Sequence, residues 1–191
     1  MSVAFIFPGQ GSQAVGMGAE LAKAYPEARA VFAEVDEALG QDLSRLMWEG
    51  PEDKLTLTEN AQPALMAVSL AAMGVLARTK GVKLKDRVAY VAGHSLGEYS
   101  ALAAAGALSL ADAARRLKTR GRAMQEAVPV GQGAMAALLG ADLAQAQGLA
   151  KEAAQGQVCE AANDNAPGQV VISGAKEAIE RALREPITAA L

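Results

Sequence analysis

An α/β fold in two parts is predicted by three observations on this sequence. Short apolar runs alternate with alanine-rich stretches of helical pattern. One such run passes through the pentapeptide Gly93-His94-Ser95-Leu96-Gly97 directly into a helical stretch. After Pro129 and Gly131 the rhythm tightens to strand, helix, strand, strand, helix. The chain has 191 residues, enough for one sizeable domain or for a domain with a small companion. It is 51% hydrophobic but only 4% aromatic, so a core can form, and its small side chains favour close helix–sheet packing over a β-sandwich.

The elements follow in order. Residues 3–7 read as a strand, rich in Val and Phe and stopped by Pro8-Gly9. The run is too short, and lacks the basic flank, for a signal peptide. After a glycine-rich loop come helical patterns over residues 18–25 and 27–39, with Gly40 and Gly50 as punctuation beyond them. Residues 60–78 form a long helix that ends near Gly81. Gln62, Pro63 and Ser69 interrupt its apolar stretch, which makes it a buried core helix and not a membrane span. Residues 88–92 are the second clear strand, and residues 98–107 the helix after the pentapeptide. Ser109-Leu110-Ala111-Asp112 resembles a capping box and starts a helix that runs to about Ala127. The second part has strands at 133–139, 158–162 and 169–173, a turn at 163–168, and helices at 143–154 and 175–183. The expected division is therefore 1–129, 130–183 and a tail of uncertain structure at 184–191.

A strand, a Gly-x-Ser-x-Gly turn and a helix make a nucleophile elbow. The turn is too tight for side chains on either side of the serine, and the helix aims its first amides at the place where an oxyanion would form. Ser95 is thus the candidate nucleophile. A second oxyanion donor should come from another loop, and Gln10, flanked by Gly9 and Gly11, suits that role. The same loop fits G-x-G-x-x-A, the looser dinucleotide fingerprint. That reading needs a second strand with an acidic residue about twenty residues on, and none is credible before Val88. No cofactor and no metal are expected.

His94 is the single histidine and adjoins the serine. Neighbouring side chains at a strand end point in opposite directions, so His94 is expected to be a packed or hydrogen-bonded core residue and not the base. The single cysteine, Cys159, lies in an apolar run and reads as a buried strand residue; one unpaired thiol also points to a reducing, cytoplasmic setting. A net charge of −3 gives no general attraction to nucleic acid or to an anionic membrane.

Four motifs in order resemble the malonyl-CoA:acyl carrier protein transacylases. They are Phe7-Pro8-Gly9-Gln10-Gly11-Ser12-Gln13, Gly93-His94-Ser95-Leu96-Gly97-Glu98-Tyr99, Arg120-Gly121-Arg122-Ala123-Met124-Gln125, and residues 163–173. The likeness extends to about Leu183. It implies an α/β-hydrolase-like large subdomain with an inserted ferredoxin-like small subdomain, both incomplete here. It also implies a ping-pong transfer for fatty acid biosynthesis. Malonyl-CoA would load Ser95, and the phosphopantetheine thiol of acyl carrier protein would take the group away. By the same resemblance, the amides of Gln10 and Leu96 form the oxyanion hole, Arg120 holds the malonyl carboxylate, and Asn163 lines the cleft. A planar guanidinium does suit a carboxylate, which it can bind with two parallel hydrogen bonds. Arg115, Arg116, Lys118 and Arg122 are expected to form a solvated helix face that could also meet the acidic carrier protein.

The chain departs from the family in two respects. The family's general base is a histidine beyond the small subdomain, oriented by a later glutamine, and this sequence stops before both. The last strand of the ferredoxin-like unit is missing as well. A fragment or deletion product, part of a longer protein, and a natural short form acting as a binding module all remain open. The competing functional readings are a general serine hydrolase and a non-catalytic remnant that binds coenzyme A or the carrier protein.

Overall fold

The computed structural model describes residues 3–81 and 87–184. The tail expectation for 185–191 lies outside the described residues. The chain divides into two compact units, Met1–Gln125 and Glu126–Leu191.

The first unit is built on two parallel strands, β1 (Ala4–Phe7) and β2 (Tyr90–Gly93), in register from Ala4 opposite Tyr90 to Phe7 opposite Gly93. Parallel strands need a long crossover, and here it holds a stack of helices. They are α1 (Ala19–Ala24), α2 (Pro26–Leu39), α3 (Leu43–Glu49), α4 (Glu52–Thr56) and α5 (Thr58–Lys80). Pro26 opens α2 at a position where its missing N–H costs nothing, and Gly40 closes it in the left-handed conformation at φ 57°. The core gathers around α5, whose Ala64, Leu65, Met66, Ala67, Ala71 and Val75 are buried with Phe32 and Val35 of α2 and Met47 of α3. Phe32 meets Trp48 edge to face at 5.6 Å. By length and composition α5 could cross a membrane, yet 56% of its apolar window is buried in this core. It is the core helix that the sequence indicates.

Helices α3 and α4 are not apparent in the sequence, which offers only Gly40 and Gly50 as punctuation. They are too short to form on their own. The start of α3 is held by a residue of α2: Ser44 donates from its backbone N–H (2.9 Å) and its hydroxyl (2.5 Å) to the Asp36 carboxylate. Two further helices follow β2, α6 (Leu96–Ala104) and α7 (Leu110–Ala127). Helix α6 starts two residues earlier than expected and stops before Gly106, which turns at φ 78°. Ser109 caps α7 as the sequence indicates, its hydroxyl accepting from the Asp112 N–H at 3.0 Å.

The second unit runs β3 (Gly133–Leu139), α8 (Leu143–Ala154), β4 (Cys159–Ala166), β5 (Gln169–Ala175) and α9 (Lys176–Ala182). Its sheet is antiparallel in the order β3-β5-β4. Asp142 and Gln145 form a reciprocal capping box at the start of α8. Leu138, Val170 and Ile172 are buried with the alanines of α8 and α9, and Cys159 joins them as a free buried thiol. Burial pushes that thiol upward in pKa, and the nearby Arg181 opposes the shift. The turn expected at 163–168 is shorter: β4 continues to Ala166, leaving only Pro167 and Gly168 as the turn. Its register shifts twice, between Ala161 and Asn163 and between Asp164 and Ala166. Such irregularities disguise a polar edge strand as a loop when only composition is read.

Candidate active site

The elbow is assembled from backbone. Strand β2 ends at Gly93 and α6 begins at Leu96, leaving His94 and Ser95 to make the reversal. Ser95 carries φ 55° and ψ −112°, a conformation that costs a non-glycine residue about 1–3 kcal/mol. A Cβ at Gly93 would overlap the carbonyl of Gly97, and one at Gly97 would overlap the carbonyl of Phe7 at the end of β1. No side chain fits at either place. The turn is pinned by His94 N–H to the Phe7 carbonyl (3.2 Å), Gly97 N–H to the His94 carbonyl (2.9 Å) and Glu98 N–H to the Ser95 carbonyl (3.2 Å). Ser95 is exposed.

Leu96 is the first residue of α6, where a backbone N–H has no carbonyl one turn earlier in its own helix. Gln10 sits in the loop after β1, exposed and three residues past Phe7, whose strand partner is Gly93. Its neighbour Gly11 donates to Gln13 Oε1 at 3.0 Å. His94 is exposed and not in the core, a correction to the sequence reading. Its ring lies against the loop, where a Cβ on Gly9 would stand 2.7 Å from Nδ1. The elbow reverses too tightly, and too near the surface, for the residue before the serine to reach the interior.

Arg120 reaches Ser95 from α7. Its Nη2 donates to Ser95 Oγ at 3.0 Å and its Nη1 to Gln62 Oε1 at 2.7 Å. Gln62 comes from α5 and is 1% exposed; its Nε2 donates to Met124 Sδ at 3.4 Å. The helices meet closely because a Cβ at Gly121 would overlap Cα of Glu59. One turn before Gln62, Glu59 pairs with Lys118 at 3.0 Å and Arg122 at 3.1 Å. The Lys118 hydrogen bond, with help from Arg122, holds the Glu59 carboxyl below its ordinary pKa against the opposing effect of burial. Lys118 also donates to Gln41 Oε1 and Asn60 Oδ1, each at 2.8 Å.

Lys118 is therefore not on a solvated face: its side chain is 13% exposed and sits in this network. Arg115 keeps to the surface, paired with Asp112 at 2.9 Å. Of the anticipated site residues, Ser95, Leu96 and Arg120 meet at the elbow and Gln10 lies on the adjoining loop. Asn163 belongs to the second unit, exposed on β4 opposite Val171. The sequence reading missed Gln62 and saw it only as a break in an apolar run. A polar residue with a large amide inside the most hydrophobic helix was the available signal. Among the described residues no group of three or more His, Cys, Asp or Glu could hold a metal ion. Chemically, the arrangement offers a hydroxyl at a helix start with a guanidinium against it, a setting for an acyl group that bears negative charge.

The chain as a whole is similar to known proteins. The model of the acyl transferase domain matches residues 4–187. The malonyl CoA-acyl carrier protein transacylase of Escherichia coli (strain K12) is 52% identical over 179 residues, which cover 94% of this chain and 57% of that protein. The protein of the same name from Bacillus subtilis (strain 168) is 51% identical over 181 residues, covering 94% and 56%. Among solved structures, an acyl-carrier-protein-S-malonyltransferase from Bartonella henselae superposes with a TM-score of 0.88 at 54% identity, covering 96% of this chain and 58% of that one. A malonyl-transacylase in complex with its type II PKS acyl-carrier protein gives 0.85 at 49% identity, covering 95% and 58%. The chain thus spans 57% of the length of the first of these relatives.

Proposed function

The chain belongs to the acyl transferase domain family, and on that premise we propose that it carries the acyl-accepting site of a malonyl transferase serving fatty acid biosynthesis. In the first step Ser95 Oγ attacks the thioester carbonyl of malonyl-CoA. The C–S bond breaks, coenzyme A leaves as its thiol, and malonyl remains as a serine ester. In the second step the phosphopantetheine thiol of acyl carrier protein attacks that ester, the C–O bond breaks, and Ser95 recovers its proton. The backbone N–H groups of Leu96 and Gln10 steady the oxyanion in both steps, and Arg120 holds the free carboxylate. The observation that carries this reading is the Arg120 guanidinium hydrogen-bonded to Ser95 Oγ at 3.0 Å. A cation at that distance from the acylated atom suits a short acyl chain that ends in a carboxylate.

We read the first unit as the hydrolase-like large subdomain and the second as the ferredoxin-like small one. The parallel pair leading into the elbow supports the first, and the β-α-β-β-α order the second. Asn163 is assigned to the cleft by family likeness alone. The protein is placed in the cytoplasm, in keeping with its lone thiol. His94 is the only histidine in the sequence, and we do not assign it the proton. A neutral serine hydroxyl without a positioned base is a weak nucleophile. On this reading the 191 residues alone acylate slowly, since general-base help is worth about 10²–10⁴-fold.

Intact mass under excess malonyl-CoA tests the assignment. A malonyl ester should accumulate on Ser95, and Ser95→Ala should stay unlabelled. If Ser95→Ala takes up label at the unaltered rate, Ser95 is not the acylation site. Release of free malonate with no transfer to carrier protein would mark a hydrolase instead.

A further inference from the structure

We propose that Gln62 is a positioning residue: it holds the Arg120 guanidinium against Ser95 while leaving its charge uncancelled, and so sets the preference for a carboxylated acyl group. The proposal rests on the reading of Arg120 as the carboxylate clamp. Its basis is the way the start of α5 divides the cations of α7. Glu59 takes Lys118 and Arg122. Arg120 lies between those two in sequence but receives a neutral amide, and among the described residues it forms no ion pair. An amide oxygen fixes the side chain as a carboxylate would, yet contributes no opposing charge. The guanidinium therefore stays available to an incoming anion.

The amide is itself held in one orientation. Gln62 is 1% exposed, and its nitrogen faces the thioether of Met124 at 3.4 Å, a weak acceptor. Flipping it would turn an NH₂ group toward the guanidinium and strand two donors without acceptors. Met124 lies one turn beyond Arg120 on α7, so the helix that carries the clamp also locks the residue that aims it. A glutamate at position 62 would fill the same space and still accept from Arg120. It would also neutralise the guanidinium and repel a second carboxylate.

The test measures single-turnover acylation of Ser95 by malonyl-CoA and by acetyl-CoA in the parent, Gln62→Glu, Gln62→Met and Arg120→Ala, with unfolding midpoints in urea. Gln62→Glu should unfold near the parent midpoint. Its malonyl-to-acetyl rate ratio should fall at least about tenfold, with the loss in the concentration dependence on malonyl-CoA, as expected for removing one charge-assisted contact. Gln62→Met keeps the charge but frees the guanidinium, so its ratio should fall about threefold, less than a full contact is worth. Should Gln62→Glu fail to fold, Gln62→Met decides the matter. A ratio unchanged in the folded Gln62 variants while Arg120→Ala collapses it would overturn the proposal. A ratio unchanged in Arg120→Ala, or no Ser95 adduct in the parent, would overturn the clamp reading itself, and this inference with it.

Discussion

The elbow and the contact between α5 and α7 deliver groups to the same serine by opposite means. At the elbow, most of the work is local: Gly93 and Gly97 clear the space and Ser95 takes the unusual φ, with Phe7 of β1 as the one distant anchor. At the helix contact, nothing is local. Gln62 and Arg120 are 58 residues apart, and so are Asn60 and Lys118. The serine is placed by backbone shape, the cation by a side-chain network. The first tolerates almost no change in volume. The second is sensitive to a change in charge at constant volume.

Gly93→Ala tests the backbone side and should have the largest effect. The new methyl must displace the Gly97 carbonyl, and we expect a loss of about 4 kcal/mol or more, the range of severe backbone conflicts. Urea unfolding would read it, and a loss below about 1 kcal/mol, an ordinary substitution's effect, would mean the elbow can open. Arg120→Ala tests the network side. Malonyl transfer should fall by about 2–4 kcal/mol in barrier while acetyl transfer falls far less, because only the former loses a charge partner. Equal losses would count against a clamp.

Gly121→Ala stands between the two regions, since backbone proximity there brings the network together. We expect about 1–3 kcal/mol of destabilisation as α7 backs away from Glu59, together with a reduced malonyl preference. Destabilisation without any change in preference would separate packing from aim. Glu59→Gln should be the mildest, at about 1 kcal/mol for a partly exposed ion pair. Its pH dependence has a definite sign. The folded carboxyl is held below its ordinary value, so its contribution is complete above about pH 4.3 and is lost as pH falls through the depressed folded value. The stability gap between parent and Glu59→Gln should therefore be level near neutrality and close in acid. A gap that widens in acid would contradict the assignment.

The same contrast explains what could be read before any coordinates. The elbow, the capping of α7 by Ser109 and the burial of α5 and Cys159 are visible because each depends on residues close in sequence or on plain hydropathy. Helices α3 and α4 are not visible, because a hydrogen bond from Ser44 to Asp36 on another helix sets where α3 begins. The second half of strand β4 passes for a turn because Asn163, Asp164 and Asn165 carry turn chemistry, while β5 pairs with Asn163, Asp164 and Ala166. Arg120 was reached by family likeness, and Lys118, two residues earlier, was misplaced on the solvent face. Periodicity assigns a helix face, but it cannot reveal that Glu59, Gln41 and Asn60 wait on the other side.

The backbone of Ser95 also limits which side chains position 95 can carry. At φ 55° a side chain branched at Cβ is driven against its own backbone. Threonine is thereby barred, although it offers the same hydroxyl. Cysteine, unbranched and of similar size, fits the turn. The elbow thus admits a primary alcohol or a thiol and rejects a secondary alcohol, a choice made by torsion angle alone.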